Sequence, residues 1–308
     1  MRPLALVLAG LATLTSTIPV FADPPPPPRI PEQRISYDFL AGLRLNPLGL
    51  EFQYNLAYRH RLYASDSTAL RDNYFGVVLA PTVNPTMSRM GGAIELRPLS
   101  MLALSGGIHH VGNLGVFDNL VAFPDAGGDW SDTGRDRLDK AGQTHPANGF
   151  EVFARAAAIA KIGPIVIRDD LLFTYSDIGL PNDGVNRVYY HPRFDMLVPD
   201  KGWFMHNDSD LLYLSDFGLI AGARSSLTNS FFDESTRGDG DDLILRVGPL
   251  VAYTFFDHPG ASWNKPTLIG IAQWWVLHPW RTGEDVHQGI PYATLAFRFE
   301  GDLFRSDN

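Results

Sequence analysis

"EFQYNLAYRHRL", residues 51–62, alternates with a period of two. Phe52, Tyr54, Leu56, Tyr58 and Leu62 share one parity, broken only by His60. Glu51, Gln53, Asn55, Arg59 and Arg61 hold the other. Period two means a β-strand with one apolar face and one polar face. In a soluble sandwich the apolar face meets a core and the polar face meets water. In a membrane barrel the apolar face meets lipid and the polar face meets a lumen.

The amino terminus narrows the choice. Arg2 is a short positive region, "LALVLAGLATLTSTIPV" an apolar one, and Val20–Phe21–Ala22 suits a signal peptidase. Residues 1–22 therefore predict a secretory signal cleaved after Ala22. The run is shorter than the about 20 apolar residues of a membrane anchor and is broken by Thr, Ser and Pro. No cysteine follows the cleavage site, which excludes a lipoprotein, and the chain has none anywhere. A core of this size needs no disulfides. Net charge is −9, which excludes nucleic acid as a partner because that requires a basic footprint. No later run of 18 apolar residues exists, helical periodicity is scarce, and Gly, Pro, Tyr, Phe and Trp are plentiful. The chain reads as all-β.

Residues 23–33 form a Pro-rich leader, "DPPPPPRIPE" and the next residue, expected to be an extended polyproline II spacer. Alternation then runs from 34 to 303, followed by a short tail, 304–308. "ISYDFLAGLRL" sets Ile35, Tyr37, Phe39, Ala41, Leu43 and Leu45 against Ser36, Asp38, Gly42 and Arg44. "FEVFARAAAIAK" splits Phe150, Val152, Ala154, Ala156 and Ala158 from Glu151, Arg155 and Lys161. "PYATLAFRFE" sets Ala293, Leu295, Phe297 and Phe299 against Thr294, Ala296, Arg298 and Glu300. The spacing predicts about twelve strands, within a range of roughly 10–14: near 35–45, 49–62, 73–83, 89–97, 100–112, 149–161, 164–176, 186–198, 210–228, 242–256, 266–279 and 290–300. NPLG, RPLS and IGP are minimal connections, whereas 113–148, 177–187, 229–242 and 280–289 are long and polar. Short turns at one end and long loops at the other are the signature of a single antiparallel transmembrane β-barrel, with short periplasmic turns and long extracellular loops. One conflict is built in: the count puts NPLG at the long-loop end and the longer 63–72 segment at the other.

The faces favour lipid. The non-apolar face carries Arg59, Arg61, Arg89, Arg97, Arg155, Arg168, Arg224, Arg246 and Arg298, interrupted by Gly, Ala and Ser, while lysine is scarce. An enclosed lumen favours Arg, whose planar fork bridges carboxylates where water is limited. Aromatic residues near strand ends, Tyr37, Tyr58, Tyr74, Tyr175, Tyr253, Trp275, Trp280 and Tyr292, fit the two membrane-interface girdles. A barrel also closes every edge, as lipid demands.

On these features, signal, alternating strands, two sizes of connection and an amphipathic last strand, the chain resembles bacterial outer-membrane β-barrel proteins from about residue 34 to 303. The resemblance implies a Gram-negative outer membrane, outer-membrane lipid as partner and a porin-like transport class. The class uses a terminal strand ending on an aromatic residue for assembly. Phe297, Phe299 and Phe304 fit, but "RSDN" follows.

The inward Arg face suggests a narrow channel for small, anionic solutes. The alternative is that Glu51, Glu95, Glu151, Asp170, Asp216 and Glu300 neutralise it, leaving a closed structural or surface-interaction barrel that acts through its loops. A third reading, a rim lipid hydrolase, rests on His109 and His110. Ser105 is four residues from His109, about 13 Å along a strand, too far for direct activation. A soluble exported sandwich is the fourth. No catalytic residue, metal ligand or cofactor is assigned: no compact His spacing occurs, and "DESTRGDGDD" (233–242) and "HNDSD" (206–210) match no calcium loop. The 113–148 loop is long enough to be functional. It is expected to fold inward, cap the barrel or bind a partner, with Trp130 as its anchor. "WWVLHPWRTG" (274–283) reads as an interfacial belt.

Overall fold

The computed structural model describes residues 31–117, 120–181, 184–238 and 243–306. The signal, most of the Pro-rich leader and Asp118 lie outside the described residues. The wall is one antiparallel sheet closed on itself, all-β as expected, with strand β1 (Gln33–Leu45) pairing both β16 (Tyr292–Arg305) and β2 (Gly49–His60). Between them run β3 (Tyr74–Leu79) with β4 (Thr82–Val83), β5 (Met87–Leu99), β6 (Leu102–Asn113), β8 (Ala147–Ile162), β9 (Ile165–Ile178), β12 (Lys201–Leu214), β13 (Leu219–Ser230), β14 (Leu243–Thr254) and β15 (Asn264–Leu277). β3 and β4 are two halves of one wall strand, interrupted at Pro81, which has no N–H to give to a ladder. Twelve strands close the barrel.

The count survives two local differences. Residues 186–198 are not a wall strand. "VYYH" and "MLVP" instead form a hairpin, β10 (Val188–His191) and β11 (Met196–Pro199), in which every strand residue is buried. A continuous apolar run with no alternation belongs to a strand covered on both faces, not to a wall with lipid on one side. The expected 210–228 strand is two, β12 and β13, because the chain turns at 215–218. Gly218 takes φ +92°, and a Cβ there would lie 2.3 Å from the Thr254 carbonyl oxygen, so the turn requires glycine. Asp216, expected on the lumen face, is exposed in this turn. The last strand also continues to Arg305, past the expected 300.

Chain direction places the loops 114–146, 179–200, 231–242 and 278–291 at one end, here the loop end. The short 46–48 and 84–86 turns share that end. The other, terminal end carries the 61–73 and 255–263 connections and the tight turns at 100–101, 163–164 and 215–218.

Register fixes the faces. Phe52, Tyr58, Val77, Ile94, Ile108, Ile167, Leu211, Val251, Leu268 and Leu295 lie exposed on the outside. Ser36, Ala57, Arg89, Glu151, Thr174, Ser226, Arg246 and Gln273 lie buried on the inside. The hydrophobic core is therefore the inner lining of the loop-end half, not the outer face. There Met87, Val111, Ala147, Ile178, Phe204, Ile244 and Trp275 point in from the wall. Leu120, Val121, Phe123, Trp130, Tyr189, Tyr190, Phe194, Leu197 and Val198 meet them from the loops. Burying each such side chain contributes about 1.5–3 kcal/mol.

Candidate functional site

The loop-borne part of this core is a plug. The β10–β11 hairpin pairs with β7 (Ala122–Phe123) to make a small three-stranded sheet inside the barrel mouth. The expected inward fold of the 113–148 loop is realised, with Trp130 packed among Tyr190, His278 and Trp280. A short helix, α1 (Asp132–Lys140), follows. Ser131 caps it by accepting from the Gly134 N–H at 2.9 Å, and Arg137 and Lys140 sit in its last turn. Those cues are visible in "SDTGRDRLDK" and are a helix signal the strand-based reading passes over.

Charged groups fasten the plug. The Arg281 guanidinium reaches the Asp195 carboxylate at the hairpin end, both Asp132 oxygens (2.8 and 3.0 Å) and Asn46 Oδ1 (2.6 Å), tying three loops to the β1–β2 turn. Asp195 also accepts from the Tyr190 hydroxyl at 2.7 Å and lies 3.2 Å from His278 Nε2. Burial alone would raise the Asp195 carboxyl, but Arg281 and His278 hold it well below the usual carboxylate range. From the wall, Arg44 donates to the Pro192 and Arg193 carbonyls. Glu51 lies 3.7 Å from Arg193. Glu151, paired with Arg89, reaches His191 Nε2 at 3.4 Å.

Below the plug the inward charges pair across strands. Arg155 pairs with Asp170, Arg168 with Asp210 (2.8 Å), and Arg224 with Asp210 (2.7 Å) and Asp208 (3.3 Å). Arg59 pairs with Glu95 (3.0 Å) and Arg97 with Asp72 (2.6 Å). Glu300 takes Lys265 at 3.1 Å and Arg298 at 3.7 Å. Arg246 instead donates to Gln273 Oε1 at 3.0 Å and lies over the rings of Tyr292 and Trp275. Arg61, just past β2, lines a cavity of about 330 Å³ at the terminal end, with Arg34, Arg59, Arg97, Lys265 and Arg298 opposed by Asp38, Asp72 and Glu300.

The interfacial girdle needs correcting. Tyr37, Tyr58, Tyr175 and Tyr253 face outward, Tyr175 against Trp203. Tyr74, Trp275 and Tyr292 face inward, and Trp280 packs on the plug core. Tyr74 shares its face with Gly76, which sits opposite Arg59. Tyr292 shares its face with Thr294 and Arg298, opposite Gln273. Arginine draws these rings in: its guanidinium gains from an aromatic face where water is scarce. In the Trp pair, Trp274 is the outward ring and Trp275 the buried one.

The two histidines do not make a pair. His109 is buried and stacks on Phe153 at 4.9 Å, whereas His110 points outward beside Phe150. The acceptors Asp208 and Asp210, with His206, are not among the expected lumen residues, because "HNDSD" (206–210) reads as a solvated loop and the expected strand starts only at 210. The even parity of Phe204, His206, Asp208 and Asp210 is the signal that finds them. Beside them Thr228 Oγ1, His206 Nδ1 (3.0 Å) and Asp208 (3.3 Å from His206 Nε2) stand in line. Thr228 is 1% exposed, so no substrate carbonyl reaches its hydroxyl. Among the described residues no group of three or more metal-ligating side chains converges.

No protein family matches the chain, and no curated protein does. Solved structures with a similar fold include the translocator domain of autotransporter NalP from Neisseria meningitidis, at 9% identity over 89% of each chain and a TM-score of 0.38. The NanC porin aligns at 7% identity over 87% of this chain and 100% of its own, TM-score 0.40. Omp33 of Acinetobacter baumannii aligns at 10% identity over 89% and 99%, TM-score 0.34. At such scores these likenesses carry no weight beyond what the wall itself establishes. A closed, even-stranded antiparallel barrel whose outer surface is predominantly apolar spans a bilayer without an unpaired edge. The chain has the architecture of a transmembrane β-barrel, the form taken by outer-membrane proteins.

Proposed function

We propose that this barrel is closed at rest: its own loops seal the loop end, and solutes reach only the vestibule at the terminal end. The observation that carries this reading is the plug, in which Val188, Tyr189, Tyr190, Leu197 and Val198 are at most 4% exposed inside the barrel mouth. Channel selectivity needs charges that a passing ion can use, and most inward arginines are neutralised by a neighbouring carboxylate. That pattern favours a closed barrel acting through its loops over an open, Arg-lined pore. The vestibule keeps the anionic preference, since its lining holds more Arg and Lys than Asp and Glu; small anions are the solutes proposed to enter it. No catalytic role is proposed for His109 or His110, which lie on opposite faces of β6.

Liposome swelling tests the reading. Proteoliposomes of the intact chain are expected to swell in isotonic small carboxylates or sugars no faster than empty liposomes. Rapid, size-dependent swelling would show an open passage and overturn it.

A further inference from the structure

Two inward arginines beneath the plug have no carboxylate partner. Arg246 on β14 donates from Nε to Gln273 Oε1 at 3.0 Å, and Arg44 on β1 donates to the Pro192 and Arg193 carbonyls. Among the described residues neither has a carboxylate within ion-pair distance, and Arg246 is only 7% exposed. The carboxylate next along the network, Asp208, is engaged elsewhere. It accepts from Ser226 Oγ at 2.5 Å and lies 3.3 Å from both Arg224 and His206. The Gln273 amide stands between, donating to Ser226 Oγ at 3.0 Å. The groups around the Arg246 guanidinium are donors as well. It lies 4.2 Å from the centre of the Tyr292 ring and 5.3 Å from that of Trp275. The Trp275 indole N–H is buried without a hydrogen-bond partner among the described residues, and so is the Thr294 hydroxyl. Thr294 follows Tyr292 on the same inward face and stands opposite Arg44. The β14–β15 ladder shifts register between Leu277 and Trp275, and this bulge lets Trp275 and His278 both turn inward.

A guanidinium and an indole N–H can only donate, so whatever they meet must accept. Water accepts but carries no charge, and a buried cation without a counter-charge is costly. We infer that one small monovalent anion of the halide class is held against the Arg246 guanidinium, beneath the plug. One negative charge answers the one guanidinium that Gln273 leaves un-neutralised, and Arg44 adds to the positive field. The small exposure of Arg246 between two aromatic rings limits the ion to a compact one. It is taken up as the plug closes over it and needs no route past the vestibule. The inference therefore rests on the plug being in place, and it adds a resident ion to the seal.

Refolding in defined salts tests it. Urea-unfolded chain is refolded into detergent with chloride, bromide or the bulky anion gluconate, at equal ionic strength. The near-UV signal of the tryptophans, three of which lie in and around the plug core, reports melting. It is expected to melt several degrees higher in either halide, and higher still as halide concentration rises, as for any ligand of the folded state. Arg246→Leu, its folding verified by heat-modifiable migration, is expected to melt at one temperature in all three salts. Crystals of the intact chain grown in bromide are expected to show an anomalous peak at the Arg246 guanidinium, a readout that needs no variant. Neither readout depends on permeation, so failure here is distinct from failure of the seal, which swelling reports. Equal melting of the intact chain in halide and gluconate would overturn the inference, and a bromide peak without that difference would mean an adventitious ion only. A halide effect that persists in Arg246→Leu, or bromide found elsewhere than at Arg246, would overturn it too.

Discussion

Removing residues 186–199 is expected to turn a silent barrel into a conducting one. The wall does not need the hairpin: β9 and β12 pair along their whole length from Asp177–Lys201 to Ile165–Tyr213, independent of the inserted segment. The plug needs it throughout. Tyr189, Tyr190, Phe194, Leu197 and Val198 leave together, each worth about 1.5–3 kcal/mol of burial. β7 loses β10, the strand it pairs with, and Trp130 loses the ring of Tyr190. Without those partners the 114–146 loop is expected to leave the mouth. Planar-bilayer recordings of the deletion variant should show steady current, and its heat-modifiable migration should match that of the intact chain. A variant that folds and stays silent would mean that the seal lies elsewhere, in the charge ladder below.

The second large effect is at Asp195 and Arg281. Cutting one member of a buried pair costs at most about 3–5 kcal/mol, less where other partners remain. Asp195→Ala leaves Arg281 to Asp132 and Asn46, and Arg281→Ala leaves Asp195 to His278 and Tyr190 and releases Asp132 and Asn46 as well. Each is expected to give flickering conductance and protease cleavage within 186–199, with the wall still folded. The double variant should cost less than the sum, because both act on one contact. Acid should act in the same direction. The Asp195 carboxyl titrates lower in the folded chain than in the unfolded one. Its stabilisation is therefore complete above the ordinary carboxylate range and is lost as pH falls below it. The plug is expected to hold at neutral and mildly acidic pH and to loosen only in strong acid. Cleavage that begins near neutrality would assign the fastening to a histidine instead.

The wall was legible because lipid outside and charge inside impose period two on each strand, and "EFQYNLAYRHRL" obeys it. Where the alternation stops, the reading failed for a physical reason. "VYYHPRFDMLVP" is buried on both faces, and such a run looks like any hydrophobic strand until something shows what covers its second face. The turn at 215–218 interrupts a stretch that continues the pattern on either side, so β12 and β13 read as one strand from 210 to 228, and Asp208 falls in the segment before it. Tyr74 and Tyr292 could have been assigned from parity alone, since Arg298 already marked the inward face of β16. They were placed outward because an aromatic near a strand end is usually interfacial. Trp274 and Trp275 are adjacent, and composition cannot say which of two neighbouring tryptophans meets the lipid. The latch was beyond reach for another reason. Asn46, Asp132, Asp195 and Arg281 come from four connections, and no spacing along the chain brings such residues together before the barrel closes.

The closed state itself is tested most directly by single-channel recording of the refolded protein, produced without residues 1–22, in a planar bilayer under a salt gradient. Persistent silence from correctly folded protein is the predicted result. Steady conductance with a defined reversal potential would contradict the plug as a seal. An anion-selective potential would return the inward arginines to the role of a pore lining.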